Sequence, residues 1–349
     1  MKQLGRREFI KNTTIAGLGT TVLGNEALAT SENKQKKAKK VIVAGAGIAG
    51  LCCGYELMKR GHDVTVLEAS GRHGGHVFTV HDGLSDGLYG DFGAEHFTKP
   101  GYERYREYVK EFNLTALPYP RRKNILRRIE GKFYTEEMLA DPVVLRKFGF
   151  NEKEVSYLSK NHWNNLESLY VDPYLDKFTD EYQPFNVGYD HLDKITIAEI
   201  YKKDGASARA LDLLGGKHSS ALFELWRSAI LKLRGVAQFP LEVFRLKDGN
   251  QMLPNAFAKR LGSRVWLNCP ILSIKQGQTG VTVKYKQYNK EQEMAADYLV
   301  NCIPLPAFAN IPVTPALSRK NNMLLIILLT ILISGLCFKR VQNSGLRII

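Results

Sequence analysis

The sequence predicts an α/β protein, and three observations predict it. A short β-branched run, Lys40-Val41-Ile42-Val43-Ala44, leads directly into Gly45-Ala46-Gly47-Ile48-Ala49-Gly50. An amphipathic stretch follows, and then a second run, Asp63-Val64-Thr65-Val66-Leu67, ends in the acid Glu68. Apolar residues make up 44% and charged residues 24% of the 349, which excludes a disordered, collagen-like or multi-span membrane chain. That length accommodates one large domain or two ordinary ones.

Each element has a physical reason. A β-branched apolar run bounded by glycine reads as a buried strand. Leu51, Tyr55, Leu57 and Met58 fall at helical spacing, and Gly61 stops the helix. Within the glycine segment, Gly45 permits a tight turn, Gly47 lets the backbone approach a pyrophosphate, and Gly50 lets the helix pack close to the sheet. Ala46, Ile48 and Ala49 complete a loop whose N–H groups and helix dipole favour phosphate. Glu68, at the end of the second strand, is placed to accept hydrogen bonds from ribose hydroxyls. Strand, loop, helix and terminal acid occur in the order that a Rossmann-type dinucleotide-binding unit requires, which makes this more than a lone glycine-rich turn. Farther on, Val265–Asn268, Ile271–Ile274, Val281–Val283 and Tyr298–Val300 read as strands, and Asn255–Leu261 as an amphipathic helix.

The net charge of +14 is concentrated at the ends. Residues 1–40 carry +6 and residues 319–349 carry +5, leaving +3 on the body. A near-neutral body argues against a broad phosphate-binding face, and no basic stripe interleaved with aromatics suggests nucleic acid. Residues 1–29 have the three-part layout of an export signal: Arg6-Arg7, then Phe9, a mildly apolar run, and Ala27-Leu28-Ala29 as a small-x-small cleavage site. The paired arginines resemble a twin-arginine signal, so the export machinery is an expected partner and a periplasmic or extracellular location is expected. Residues 30–39 read as a solvated linker.

At the other end, Met323–Phe338 is sixteen residues of nearly unbroken apolar sequence followed by Lys339-Arg340. It falls short of the roughly 20 residues that span a bilayer upright. One reading is a short membrane anchor with basic flanks, and membrane contact is expected only if this tail is genuine. The favoured reading is a reading-frame slip after about Lys320. With permitted third bases, the shifted codons from Asn321 onward encode a string that alternates charged and β-branched residues, and residues 319–349 are then an aberrant tail.

Beyond Glu68 the chain continues Ala69-Ser70-Gly71-Arg72-His73-Gly74-Gly75-His76. This Glu-Ala-x-x-Arg-x-Gly-Gly extension resembles that of the flavin-containing amine oxidase superfamily. Arg72 and the Gly74-Gly75 pair would wrap a second side of the pyrophosphate. Asp91-Phe92-Gly93-Ala94-Glu95-His96 resembles the segment of that family that passes beside the flavin ring, which implies a cofactor role for Gly93, Ala94 and Glu95. Gly249-Asn250-Gln251-Met252-Leu253-Pro254 resembles its Gly-Gly-x-x-x-Leu-Pro segment, with Asp248 in place of the first glycine. Ile271 holds the position whose backbone touches adenine in the family, and Ile303-Pro304 matches a later family segment.

The resemblance covers about residues 40–318, strongly over 41–77 and thinly over 100–240. It implies a Rossmann-type FAD domain with an inserted α+β substrate domain and the C-terminal part missing. Residues 40–100 would form the first FAD segment, 101–240 a helical substrate cap, and 241–318 the return segment. It also implies an FAD-dependent oxidoreductase that oxidises a C–N bond of a small amine or amino acid, with O2 taking the electrons.

Three departures accompany the resemblance. His76 stands where an arginine usually closes the Gly-Gly-Arg motif. No lysine occurs between Asp297 and Arg319, and Asn310 lies about where the family's active-site lysine falls. The family also continues well beyond this length. The alternatives are a truncated, non-catalytic remnant and an NAD(P)-dependent dehydrogenase with a C-terminal membrane anchor. Cys52 and Cys53 read as small packing residues on the helix, and His73, His76, His81 and His96 as loop histidines. No cysteine or histidine spacing suggests a metal, and no catalytic side chain is assigned.

Overall fold

The computed structural model describes residues 37–119, 125–238, 240 and 242–316. The expected signal, all but the end of the expected linker, and the apolar tail lie outside the described residues. Strand β1 (Lys40–Ala44), helix α1 (Ile48–Lys59) and strand β2 (Asp63–Leu67) form the expected β-α-β unit, with β1 and β2 parallel. Tyr298–Asn301 pairs in parallel with the far side of β1, and Val265–Trp266 with the far side of β2. The result is a four-stranded parallel sheet in the order Tyr298–Asn301, β1, β2, Val265–Trp266. Lys40 anchors its start: its N–H donates to Asp297 Oδ2 at 2.8 Å.

The near-continuous apolar strands are explained by burial on both faces. Val41 and Val43 of β1 and Val64 and Val66 of β2 point into one cluster, with Leu51 and Tyr55 of α1 and Leu253, Phe257 and Leu261 of the helix Met252–Leu261. Ile42 and Leu67 point the other way, into a cluster with Ile274, Val283 and Tyr285. That second cluster belongs to a separate sheet in the order Lys290–Ala296, Val281–Gln287, Ile271–Gln276, Val313–Thr314. The side-chain alternation of a strand thus joins the parallel sheet to helices on one face and to the second sheet on the other.

The cap is mainly helical, with one short hairpin, Arg127–Ile129 against Lys132–Tyr134. Its own core includes Leu145, Leu158, Tyr170, Ile200, Leu222 and Leu225. Two helix starts in it carry full capping boxes, Asn151 with Glu154 and Thr196 with Glu199. Among the described residues no helix is long and apolar enough to cross a membrane.

Several boundaries differ from expectation. The cap does not begin at residue 101. Helix Glu103–Glu111 packs on the nucleotide unit through Tyr108 and Val109, and the Tyr108 hydroxyl donates to Glu56 Oε1 at 2.9 Å. Strand Ala116–Pro118 then pairs antiparallel with Phe244–Leu246, so the cap starts and ends at this pair. The strand expected over Val265–Asn268 stops at Trp266, because Asn268 turns with φ +56°. The helix expected from Asn255 starts three residues earlier, at Met252. Strand Lys290–Ala296 was not expected. It is an exposed edge with charged residues on both faces, so it has no apolar alternation to read.

Candidate functional site

The strand ends, the loop after β1 and the start of α1 enclose a cavity of about 550 Å³. That volume suits a small-molecule or cofactor site. Gly45, Gly47, Ile48, Ala49, Glu68, Ala69, Gly75, His76 and Ile271 all line it. Sequence reasoning did not anticipate the other walls: Leu67, Cys269, Pro270, Cys302, Ile303, Pro304, Ala307 and Ile311. Of these, Ile303 and Pro304 belong to a segment the sequence marks by its resemblance alone.

The three loop glycines have three different reasons to be glycine. Gly45 has φ +99°, a left-handed conformation that glycine adopts freely, and its N–H donates to Leu67 O at 2.7 Å. Gly50 is held by space. A Cβ there would lie 1.9 Å from the Gly45 carbonyl oxygen, so the helix closes on the turn itself. Gly47 has neither reason. Its φ of −67° suits any residue, and a Cβ would meet no protein atom within 4 Å. What the missing side chain leaves open is the cavity. Gly54 adds a second close contact between the helix and the sheet, where a Cβ would be 3.0 Å from Val66 Cγ2.

Glu68 is pre-oriented. Its Oε2 accepts from the Ala46 N–H at 2.8 Å, and its Oε1 accepts from the Ser70 N–H and hydroxyl at 2.9 and 2.8 Å. The carboxylate is half-buried and its remaining lone pairs are available at the cavity wall. Ala46 itself is buried, and its carbonyl accepts from the Gly74 N–H at 2.8 Å. Gly74 and Gly75 have φ +101° and +57°, and a Cβ on Gly75 would lie 3.0 Å from Gly47 Cα. The double glycine therefore lies directly against the loop.

Arg72 is placed differently from the expected clasp. Its guanidinium donates to Gly75 O at 2.8 Å and lies 4.4 Å from the centre of the Phe78 ring, and it is not among the lining residues. It braces the glycine turn from outside. Gly93, Ala94 and Glu95 are likewise absent from the lining, although Gly93 is seated on the His76 carbonyl. Cys302 lines the cavity, while Cys52 and Cys53 pack on the core of α1; burial pushes all three thiols up, away from the reactive thiolate. Among the described residues no group of three or more His, Cys, Asp or Glu is placed to hold a metal ion.

The description of a family model, flavin containing amine oxidoreductase, matches residues 48–340. The chain belongs to this family. Membership makes the dinucleotide FAD and removes the NAD(P) alternative. The structure fits that group. The start of α1 has no side-chain cap and no acid in its first turn, Gly47 leaves a cradle that a Cβ would fill, and Glu68 is held at the cavity wall. Among the described residues no lysine or arginine lines the cavity, so a diphosphate there would rest on backbone N–H groups and the helix dipole.

Other members of the amine oxidoreductase family are similar over most of this chain. The L-amino-acid oxidase BmooLAAO-I of Bothrops moojeni is 28% identical over 312 residues, which is 85% of this chain and 58% of that one. The L-amino-acid oxidase of Mus musculus is 27% identical over 303 residues, covering 83% and 45%. The chain thus spans about half the length of the curated relatives it matches. Among solved structures, a putrescine oxidase double mutant superposes with TM-score 0.65 at 22% identity, covering 82% of this chain and 63% of that one. The cyclohexylamine oxidase of Brevibacterium oxydans IH-35A gives 0.64 at 20%, covering 83% and 63%. These two share its fold.

Proposed function

We propose that the protein is an FAD-dependent oxidoreductase that oxidises a C–N bond of a small amine or amino acid, with O2 as final acceptor. The observation that carries this reading is the open cradle at Gly47 beside the pre-oriented Glu68, in a chain of the amine oxidoreductase family. The relatives named for L-amino acids and the structures named for putrescine and cyclohexylamine support the substrate class. When bound, FAD supplies the two-electron acceptor for the C–N bond and returns the electrons to O2 as peroxide. The chain's own residues bind and orient it: the start of α1 receives the diphosphate, Glu68 takes the ribose hydroxyls, and the apolar Pro270–Ile271 wall lies beside them. The cap, with its separate core, is the part that would cover the substrate.

One feature favours a second reading, a flavin-binding protein without turnover. No lysine occurs between Asp297 and Arg319, and the Asn310 side chain near that place donates to Pro306 O at 3.3 Å. One experiment separates the two. The full chain, expressed with riboflavin in excess, is expected to purify with flavin absorbance and to release peroxide with at least one amine or amino acid of a panel. Yellow protein that is silent across the panel selects the second reading. Colourless protein that ignores added FAD removes both.

Export is proposed on the same footing. The Arg6-Arg7 pair and the Ala27-Leu28-Ala29 site support passage of the folded protein through the twin-arginine route to the periplasm or the medium. Sequencing the exported protein is expected to give Thr30 as its first residue, and replacing both arginines by lysine is expected to retain the precursor in the cytoplasm. Export of the lysine variant at the wild-type level would rule the route out.

A further inference from the structure

Asn250 lies in the turn before helix Met252–Leu261 and is 3% exposed. Its Nδ2 donates to Ala94 O at 2.9 Å and to Glu95 O at 2.8 Å. Its Oδ1 accepts from the Leu246 N–H at 3.0 Å, and its own N–H donates to Asp91 Oδ1 at 2.9 Å. The same Asp91 oxygen accepts from the Thr79 hydroxyl at 2.6 Å. Thr79 Oγ1 in turn accepts from the Gln251 N–H at 3.1 Å, and the Thr79 N–H donates to Gln251 Oε1 at 2.9 Å. The neighbouring segments at Thr79 and Asp91–Glu95 and the distant turn at Leu246–Gln251 are thereby hydrogen-bonded into one block.

What this block carries is a wall of the cavity. Gly93 is seated so tightly that a Cβ would fall 1.6 Å from the His76 carbonyl oxygen, and the Phe92 N–H donates to Phe78 O at 2.8 Å. His76 and Gly75 line the cavity, with Gly75 against Gly47. The ribose end is held by other means, since Glu68 takes its bonds from Ala46 and Ser70.

We infer that Asn250 is a positioning residue for the half of the dinucleotide beyond the first phosphate, because it fixes the Gly93–Glu95 loop against His76. This rests on the FAD reading of the cavity. A buried amide whose two N–H donors both meet carbonyls and whose oxygen accepts an N–H tolerates no exchange of donor for acceptor. Asn250→Asp keeps the shape and the bond from Leu246 but sets an anionic oxygen against two carbonyls. Thr79→Val removes the donor to Asp91 and the acceptor for Gln251, and Thr79→Ser retains both.

The test is titration of the full chain and these three variants with FAD and, separately, with AMP, which reaches only the ribose end and the first phosphate. Asn250→Asp and Thr79→Val are each expected to raise the Kd for FAD about tenfold or more and to change that for AMP less than about twofold. Thr79→Ser is expected to match the wild type, and the visible circular dichroism of bound flavin is expected to change in Asn250→Asp and Thr79→Val. Equal weakening of FAD and AMP, or no weakening, would overturn the inference. If Asn250→Asp does not fold, the Thr79 pair decides by the same criterion. A wild type that binds neither compound removes the cavity reading itself, and the inference with it.

Discussion

Gly47→Val is expected to weaken FAD binding by about a hundredfold or more while costing the fold no more than about 1 kcal/mol. Its Cβ would have no protein atom within 4 Å and the side chain would point into the cavity, on a backbone with φ −67° and ψ 175° that valine adopts without strain. The small stability cost comes from valine being a poorer N-cap than glycine. Gly50→Ala is the contrasting case. One methyl group there meets the Gly45 carbonyl oxygen at 1.9 Å, so helix and turn must separate, at a cost of about 3 kcal/mol. Flavin titration and thermal melts of the two variants check the pair: the first should lose ligand and keep the fold, and the second should lose stability. If Gly47→Val binds FAD normally, the diphosphate does not lie on this loop.

The second large effect is expected in the cap. Glu154 is fully buried, yet its carboxylate is satisfied: Oε1 accepts from the Tyr170 hydroxyl at 2.6 Å and the Ser207 N–H at 2.8 Å, and Oε2 from the Asn151 N–H at 2.8 Å. It links the starts of two helices, Glu152–Leu158 and Ala208–Leu214, to the tyrosine between them. Glu154→Ala strands one buried and two partly buried donors and opens a void, which is expected to destabilise the cap by about 3–4 kcal/mol. Urea unfolding followed by tryptophan fluorescence is suited to this, because Trp163 and Trp226 pack on the cap core. The midpoint should fall sharply, while FAD affinity of the folded variant should hold, since none of these residues lines the cavity. A loss below about 1 kcal/mol would mean that water or a rearranged loop satisfies those donors.

The nucleotide unit was legible because its chemistry is local. A positive φ, a close backbone approach and a buried strand each constrain residue type at one position, so Gly45, Gly50 and the run Val41–Ala44 announce themselves. Glu68 was legible for the same reason, since it ends a strand at a fixed distance from the loop. The resting place of Arg72 was not legible because a guanidinium on a flexible stem takes a nearby carbonyl, here that of Gly75. The Asn250 block was invisible because its bonds join residues more than 150 positions apart. In the cap, the patterns Asn151-x-x-Glu154 and Thr196-x-x-Glu199 were readable start signals that the sequence reading passed over. Strand Lys290–Ala296 carried no apolar signal, and only the turn at Tyr288-Asn289, with φ +49° and +62°, marks its hairpin.

The pairing of Ala116–Pro118 with Phe244–Leu246 has a consequence for how such a molecule diversifies. Everything from the hairpin at Arg127 to the helix ending at Leu233 leaves and re-enters the body through two neighbouring strands, about 5 Å apart as in any sheet. A module grafted at so narrow a neck can be lengthened, shortened or exchanged without rethreading the remainder. Selection can therefore reshape the inserted module while the nucleotide-binding unit stays as it is.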